Sequence, residues 1–151
     1  MNKVLLVGAI LLSGVAANAA DRSPSPAMKS ATTGSGRFYN SSGSYSGRFD
    51  TNGSTTRQYD SHGSFSGKLE SSRDSTRSYD KSGAYTGRTS TSGDTTRMYD
   101  SHGAYSGRST TSGSTTRFYD SHGAYAGRAE TTNGTTRYYD SHGASTGSKR
   151  K

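Results

Sequence analysis

Arg117-Phe118-Tyr119-Asp120-Ser121-His122-Gly123-Ala124-Tyr125-Ala126-Gly127 is one copy of a unit that returns every twenty residues. Six copies of Arg-x-Tyr-Asp-x-x-Gly-x-x-x-Gly run from Arg37 to Gly147, with Asn40 standing for the aspartate in the first. The arginines Arg37, Arg57, Arg77, Arg97, Arg117 and Arg137 keep register, as do two glycine series, Gly43 to Gly143 and Gly47 to Gly147. A fixed period of this length marks a repeat architecture in which each unit buries its surface against its neighbours.

Inside the unit, Asp120-Ser121-His122-Gly123 and Thr110-Thr111-Ser112-Gly113 form a weaker rhythm of ten. Both fit a type I turn followed by a left-handed glycine, the usual three-residue hairpin loop. Gly63, Gly83, Gly103, Gly123 and Gly143 are therefore expected as turn glycines with positive φ. Between turns lie short stretches rich in Thr, Tyr and Phe, which suit strands. The fold class expected is all-β: a repetitive antiparallel hairpin meander or spiral sheet.

Two three-residue loops per unit give definite pairings. Asp120 should pair with Ala124, Tyr119 with Tyr125 and Arg117 with Gly127. Across the preceding turn, Thr110 should pair with Ser114, Tyr105 with Tyr119 and Gly107 with Arg117. Every pair then joins residues of equal parity, so one face carries a continuous tyrosine row beside alternating Arg and Gly. Arg108, Thr116 and Arg128 fall on the other face. The Gly47 to Gly147 series would leave room for a neighbouring Arg or ring. Arg73 and Asn133 replace turn glycines, and Ser145 and Ser148 replace the second Tyr and second Arg of the last unit. Such decay at the ends suggests terminal caps.

The flanks set the compartment. Lys3, the apolar run Val4 to Val15 and Ala17-Asn18-Ala19 resemble a secretory signal peptide cut before Ala20 or Asp21. The run is short for a membrane span, and no later stretch is apolar enough to be one. The expected organisation is a signal peptide over residues 1–19, a linker over 20–35, six repeats over 36–147 and a basic tail over 148–151. Hydrophobic residues make up 26% of the chain, and Leu69 is the last leucine, so a conventional globular core is out of reach. There are no cysteines, which excludes disulfides and a cysteine-linked lipid anchor. A net charge of +8 favours acidic partners.

The core Tyr59-Asp60-Ser61-His62-Gly63, repeated at Tyr79, Tyr99, Tyr119 and Tyr139, resembles the YD repeat of rearrangement-hot-spot-type proteins. The resemblance covers residues 37–147 and implies linked hairpins in a long sheet and an extracytoplasmic location. A looser similarity is to the cell-wall-binding repeats of choline-binding and glucan-binding proteins. Those rely on Trp, which this chain lacks, and here Arg follows glycine at Gly107-Arg108 and Gly127-Arg128. A choline cation needs an aromatic cage, not a guanidinium.

His62, His102, His122 and His142 share one turn position, but turns on one sheet edge recur about 9–10 Å apart, too far to share a zinc. No metal and no cofactor are expected. Ser, His and Asp adjacent in one turn do not make a relay, and no phosphate loop is present, so an enzyme is not expected. The tyrosine and arginine rows are the candidate ligand-binding surface: Tyr99, Tyr105, Tyr119 and Tyr125 with Arg97 and Arg117. Aromatic faces stack on sugar rings, and guanidinium forks onto carboxylate or phosphate. The same rows would equally serve as a small core and a solubilising surface. The sequence thus points to an exported bacterial protein, periplasmic or secreted, that binds an anionic envelope polysaccharide or surface component. The alternative is a self-assembling surface or matrix protein. Nucleic acid is disfavoured by the export signal.

Overall fold

The computed structural model describes residues 33–151. The expected signal peptide and its cleavage site lie outside the described residues, as does the linker up to residue 32. The described chain is all β. Its strands are β1 (Thr33–Asn40), β2 (Tyr45–Asn52), β3 (Thr55–Asp60), β4 (Phe65–Ser72), β5 (Ser75–Asp80) and β6 (Tyr85–Ser92), followed by β7 (Thr95–Asp100), β8 (Tyr105–Ser112), β9 (Thr115–Asp120), β10 (Tyr125–Thr132), β11 (Thr135–Asp140) and β12 (Ser145–Arg150). They form an antiparallel meander in chain order, and β1 pairs with β12 to close a barrel.

One end of the barrel carries the Asp-x-x-Gly turns, built as the sequence dictates. The Asp120 N–H donates to the Ala124 carbonyl at 2.9 Å and the Gly123 N–H to the Asp120 carbonyl at 3.1 Å. Asp120 Oδ1 accepts from the backbone N–H of His122 and of Ala124, each at 2.9 Å. Gly123 takes φ 83°, and Gly63, Gly83, Gly103 and Gly143 match it within a few degrees. Asn40 makes the same turn, its Oδ1 accepting from Ser42 N at 3.1 Å and Ser44 N at 2.9 Å.

The other end differs from expectation. Ser112 pairs with Thr115 across a two-residue loop, so Thr110 faces Arg117 rather than pairing with Ser114. Gly113 sits at φ 58° in the first loop position, whereas Ser114 has no positive φ, which is the φ signature of a type II′ turn. Asn133 and Gly134, at φ 49° and 73°, both adopt the left-handed region, as a type I′ turn needs. Both types match the strand twist, which an unprimed turn would splay.

A two-residue loop shifts the pairing by one residue, and a bulge shifts it back. In β10 the register slips between Tyr125 and Gly127. Tyr119 faces Tyr125, but Phe118 then faces Gly127, and Arg117 faces Arg128 rather than Gly127. On the other side of β9, Arg108 faces Tyr119 and Gly107 faces Asp120, so Tyr105 does not meet Tyr119 and Gly107 does not meet Arg117. The reiterated glycine is the residue behind the bulge. Gly127 is buried at φ 143°, and a Cβ there would fall on the carbonyl oxygen of Tyr139 on the next strand. The open space serves the neighbouring backbone, not a ring or an arginine.

The two shifts together sort the side chains. Phe49, Leu69, Met98, Ala129 and Tyr138 are buried with Thr56 and Ser109 on the inside. Thr111 Oγ1 and Thr116 Oγ1 lie 3.0 Å apart, and Thr51 and Thr56 repeat this pair at 2.9 Å. Arg108 and Arg128, expected on the face opposite the tyrosines, share the outside with them, while Thr116 turns inward.

Closure reuses the bond pattern of an internal pair. Gly147 faces Asn40, Ser148 faces Tyr39, Lys149 faces Phe38 and Arg150 faces Arg37. Gly127, Arg128, Ala129 and Glu130 meet Asp140, Tyr139, Tyr138 and Arg137 in the same register. The last unit therefore treats the first as its successor. Three expectations change. Residues 148–150 belong to β12 instead of forming a tail beyond the sheet, β1 takes residues 33–35 from the linker, and the degenerate last unit is a seam, not a cap.

The two glycine series should respond differently to one methyl group. Gly103 has open space where a Cβ would go, so Gly103→Ala should cost only the positive-φ penalty, about 1 kcal/mol. Gly107→Ala also forces the Tyr119 carbonyl aside and should cost severalfold more in urea denaturation. Equal losses would refute the bulge assignment.

Turn carboxylates give an acid dependence. Hydrogen bonds from the Ser82 hydroxyl and the Ala84 N–H hold Asp80 below the ordinary carboxylate value, and those from the Ala144 and His142 N–H groups do so for Asp140. A folded value below the unfolded one gives stability that is full above about pH 4 and lost as pH falls through the folded value. Asp80→Asn with Asp140→Asn should keep the turns, as Asn40 does, and make the loss of melting temperature below pH 4 shallower. An unchanged acid limb would count against these two carboxylates.

Candidate functional site

Four of the six outward hairpins, those at Tyr59, Tyr79, Tyr99 and Tyr119, carry the same three-part stack. Tyr99 meets Tyr105 edge-on at 6.1 Å and Tyr119 meets Tyr125 at 6.2 Å, because the turn between them pairs these residues directly. The Arg88 guanidinium lies 4.4 Å over the Tyr99 ring and that of Arg108 lies 4.9 Å over Tyr119. These cations come from the residue just after the bulge glycine, which the bulge turns outward. Edge-to-face aromatic pairs contribute about 0.5–1.5 kcal/mol beyond burial. The units Tyr39–Tyr45, Tyr59–Phe65 and Tyr79–Tyr85 repeat the aromatic part at 6.0–6.3 Å.

The expected single tyrosine row is thus two pairs, with Arg108 set between Tyr105 and Tyr119 across β8 and β9. Tyr105 and Tyr125 remain 41% and 40% exposed, so their faces are open to a ligand. Arg97 and Arg117 are exposed on the same outer face, two residues from Tyr99 and Tyr119. Neither has glycine beside it. Arg97 faces Arg108, and Arg117 faces Arg128.

The charge pattern around the barrel is uneven. Arg48 pairs with Asp50 at 3.5 Å, Lys68 with Glu70 at 2.7 Å and Arg128 with Glu130 at 2.7 Å. At the corresponding acidic position β6 has Ser90 and β8 has Thr110. Arg88, Arg97, Arg108 and Arg117 therefore form a quartet over β6–β9 in which Ser90 and Thr110 supply no counter-charge. Like charges directly opposite on a sheet are destabilising. Arg88 and Arg108 of the quartet cover one face of Tyr99 and Tyr119, and its guanidinium groups can form forked hydrogen bonds to carboxylate, sulfate or phosphate.

The histidine turns are arranged otherwise. Ser121 Oγ lies 3.3 Å from His122 Nδ1, and the same contact recurs at His62, His102 and His142. The neighbouring Asp120 carboxylate takes backbone N–H groups and not the ring. No three His, Asp or Glu side chains among the described residues cluster as metal ligands do.

The sequence reading missed Arg88 and Arg108 as ring-stacking cations. Their signal was present, since Arg or Lys follows the second glycine at residues 48, 68, 88, 108 and 128. It also missed the interior. Lys149 on β12 projects inward, its Nζ 4.4 Å over the Phe49 ring, and burial, aided by the charge of Lys151, holds its ammonium below the ordinary lysine value. Burial likewise pushes the Tyr138 hydroxyl up to about 12. No protein-family model matches the chain, and no curated protein does.

Burial disfavours the charged form of the inward ammonium. Lys149→Met keeps the stem over Phe49 and removes the charge, so it should raise the melting temperature by several degrees at pH 7. The gain should shrink as pH rises through the depressed folded value, where the wild-type ammonium loses its proton. A lower melting temperature at pH 7 would show that the charge has a stabilising partner.

Proposed function

We propose that this is an exported, non-enzymatic envelope protein that binds an anionic polysaccharide on the outer face of its barrel. The observation that supports this reading is the quartet Arg88, Arg97, Arg108 and Arg117, in which Arg97 faces Arg108 and no acid stands at residues 90 and 110, beside the exposed rings of Tyr105 and Tyr125. A fold does not need such a cluster, and an acidic chain lying across β6–β9 would neutralise it. Tyrosine faces would take the sugar rings while guanidinium groups take the acid groups. The YD-like turn motif and the secretory leader in the sequence fit a role outside the cytoplasm. Self-assembly by strand pairing has less support, since β1 and β12 pair with each other and leave no strand edge among the described residues.

The test uses polygalacturonate as the acidic probe and dextran as the neutral one. The mature chain should bind the first and not the second, with affinity falling steeply as salt screens the exposed charges. Arg97→Ala with Arg117→Ala should weaken binding about tenfold or more and flatten the salt dependence. The double variant should melt no lower than wild type, since it relieves two like-charge pairs. Full binding by the double variant would sink the proposal. So would a lower melting temperature, which would make these arginines structural. Concentration-dependent fibres with a cross-β pattern would favour the self-assembling alternative.

A further inference from the structure

Twelve strands enclose a wider lumen than eight, and eight already leave just enough room for side chains to fill. The inward positions of this barrel mix sizes, with Ser78, Thr89, Ser109 and Ala129 set opposite Leu69, Met98, Phe118 and Tyr138. Beside the seam the filling fails. A cavity of about 400 Å³ opens toward the Asp-x-x-Gly end between β1, β3 and β11, within the size range of small-ligand pockets. Phe38 and Tyr138 supply its aromatic walls, Gln58 its amide, and Ser66 and Thr146 hydroxyls at the mouth.

Two features specify what it would hold. Gln58 is the one amide among the six residues at its repeat position, where Phe38, Ser78, Met98, Phe118 and Tyr138 stand in the other units. Its Nε2 is buried and has no hydrogen-bond partner. Buried donors are nearly always satisfied, and an unpaired one costs stability that a ligand acceptor would recover. The lining also contains no basic residue, and the Asp60 carboxylate stands at the lip. Lys149, which faces Phe38, lies deeper with its ammonium over Phe49, and the carboxylate at the lip disfavours an anion at the mouth, in contrast with the outer face.

We infer that the lumen beside the seam is a binding site for a neutral sugar ring. The C–H faces of the ring would pack against Phe38 and Tyr138. A ring or hydroxyl oxygen would accept from Gln58 Nε2, and the remaining hydroxyl groups would bond to Ser66 and Thr146. A purely apolar ring would leave the amide unpaired. This site is separate from the outer arginine face, so either can exist without the other.

Saturation-transfer NMR on the mature chain tests the inference with glucose, galactose and N-acetylglucosamine, each as monomer and as disaccharide, against glucuronate and indole. At least one neutral sugar should saturate the protein, and glucuronate and indole should bind more weakly. Gln58→Leu should weaken the sugar by at least about tenfold while melting no lower than wild type, because it removes an unpaired buried donor. Thr146→Phe, which places a ring at the mouth, should also abolish binding and serves if Gln58→Leu fails to fold. Arg97→Ala with Arg117→Ala should leave sugar binding unchanged. The inference is overturned if no neutral sugar saturates, if indole or glucuronate binds best, or if binding survives in a folded variant at the mouth or the amide. Loss of sugar binding in the outer double variant would place the sugar outside and overturn it as well.

Discussion

The close approach of one strand's carbonyl to the next strand's buried glycine is the constraint on which the rest of this molecule depends. Wherever Gly127 or its equivalents occur, a Cβ would collide with the tyrosine carbonyl on the following strand. Only glycine permits the bulge, and only the bulge cancels the register shift made by the two-residue loop at the other end. Without it the side chains of each successive unit would change faces, because strand side chains alternate with period two. With it, every tyrosine and every arginine of the period faces out, and closure becomes possible with Gly147 placed against Tyr39.

Inside and outside obey different rules as a result. On the outside each unit meets only its neighbours, so one pattern of Arg, Tyr and Tyr can be repeated around the circumference. On the inside all units share one space. Six identical large side chains would collide near the axis, and six identical small ones would leave it empty. The solution is variation: Leu69 beside Ser78, Met98 beside Thr89, Phe118 beside Ser109, Tyr138 beside Ala129. Large residues set against small ones fill a core without strain. This reverses the usual expectation that repeats keep their cores and vary their surfaces.

That reversal explains what could be read from the sequence. The Asp-x-x-Gly turn carries its own chemistry in the aspartate acceptor and the left-handed glycine, so Asp120–Ala124 and Tyr119–Tyr125 were legible. The short turn was not, because Thr-Ser-Gly-Ser suits a two-residue or a three-residue loop, and the choice depends on strand twist. The bulge was hidden for a related reason. A strand glycine signals a close approach without saying of what, and here it is backbone. Closure has no local signal at all. It arises only when β12 pairs with β1 from the other end of the described chain, so the residues at 148–150 looked like a tail. At the candidate site, Tyr99, Tyr105, Tyr119, Tyr125, Arg97 and Arg117 do share a face. Arg108 was assigned elsewhere because the parity error put it on the wrong side.

A closed ring of like units offers six equivalent places, and difference enters only where the sequence departs from its period. It does so in two regions. Over β6–β9, Ser90 and Thr110 remove the acids that neutralise the outer cations elsewhere, which concentrates positive charge on one arc. At the seam, Ser145 and Ser148 remove an aromatic partner from Tyr139 and a cation from Tyr39, while Lys149 and Gln58 bring polar groups into the interior. The repeat supplies a rigid frame of glycines, turns and rings. The exceptions lie on opposite sides of the wall and differ in chemistry, one a cationic outer surface, the other an aromatic and amide-lined cavity open at one end. A ligand that carries both acid groups and a neutral terminal sugar would meet complementary features at each, which a perfectly periodic sequence could not provide.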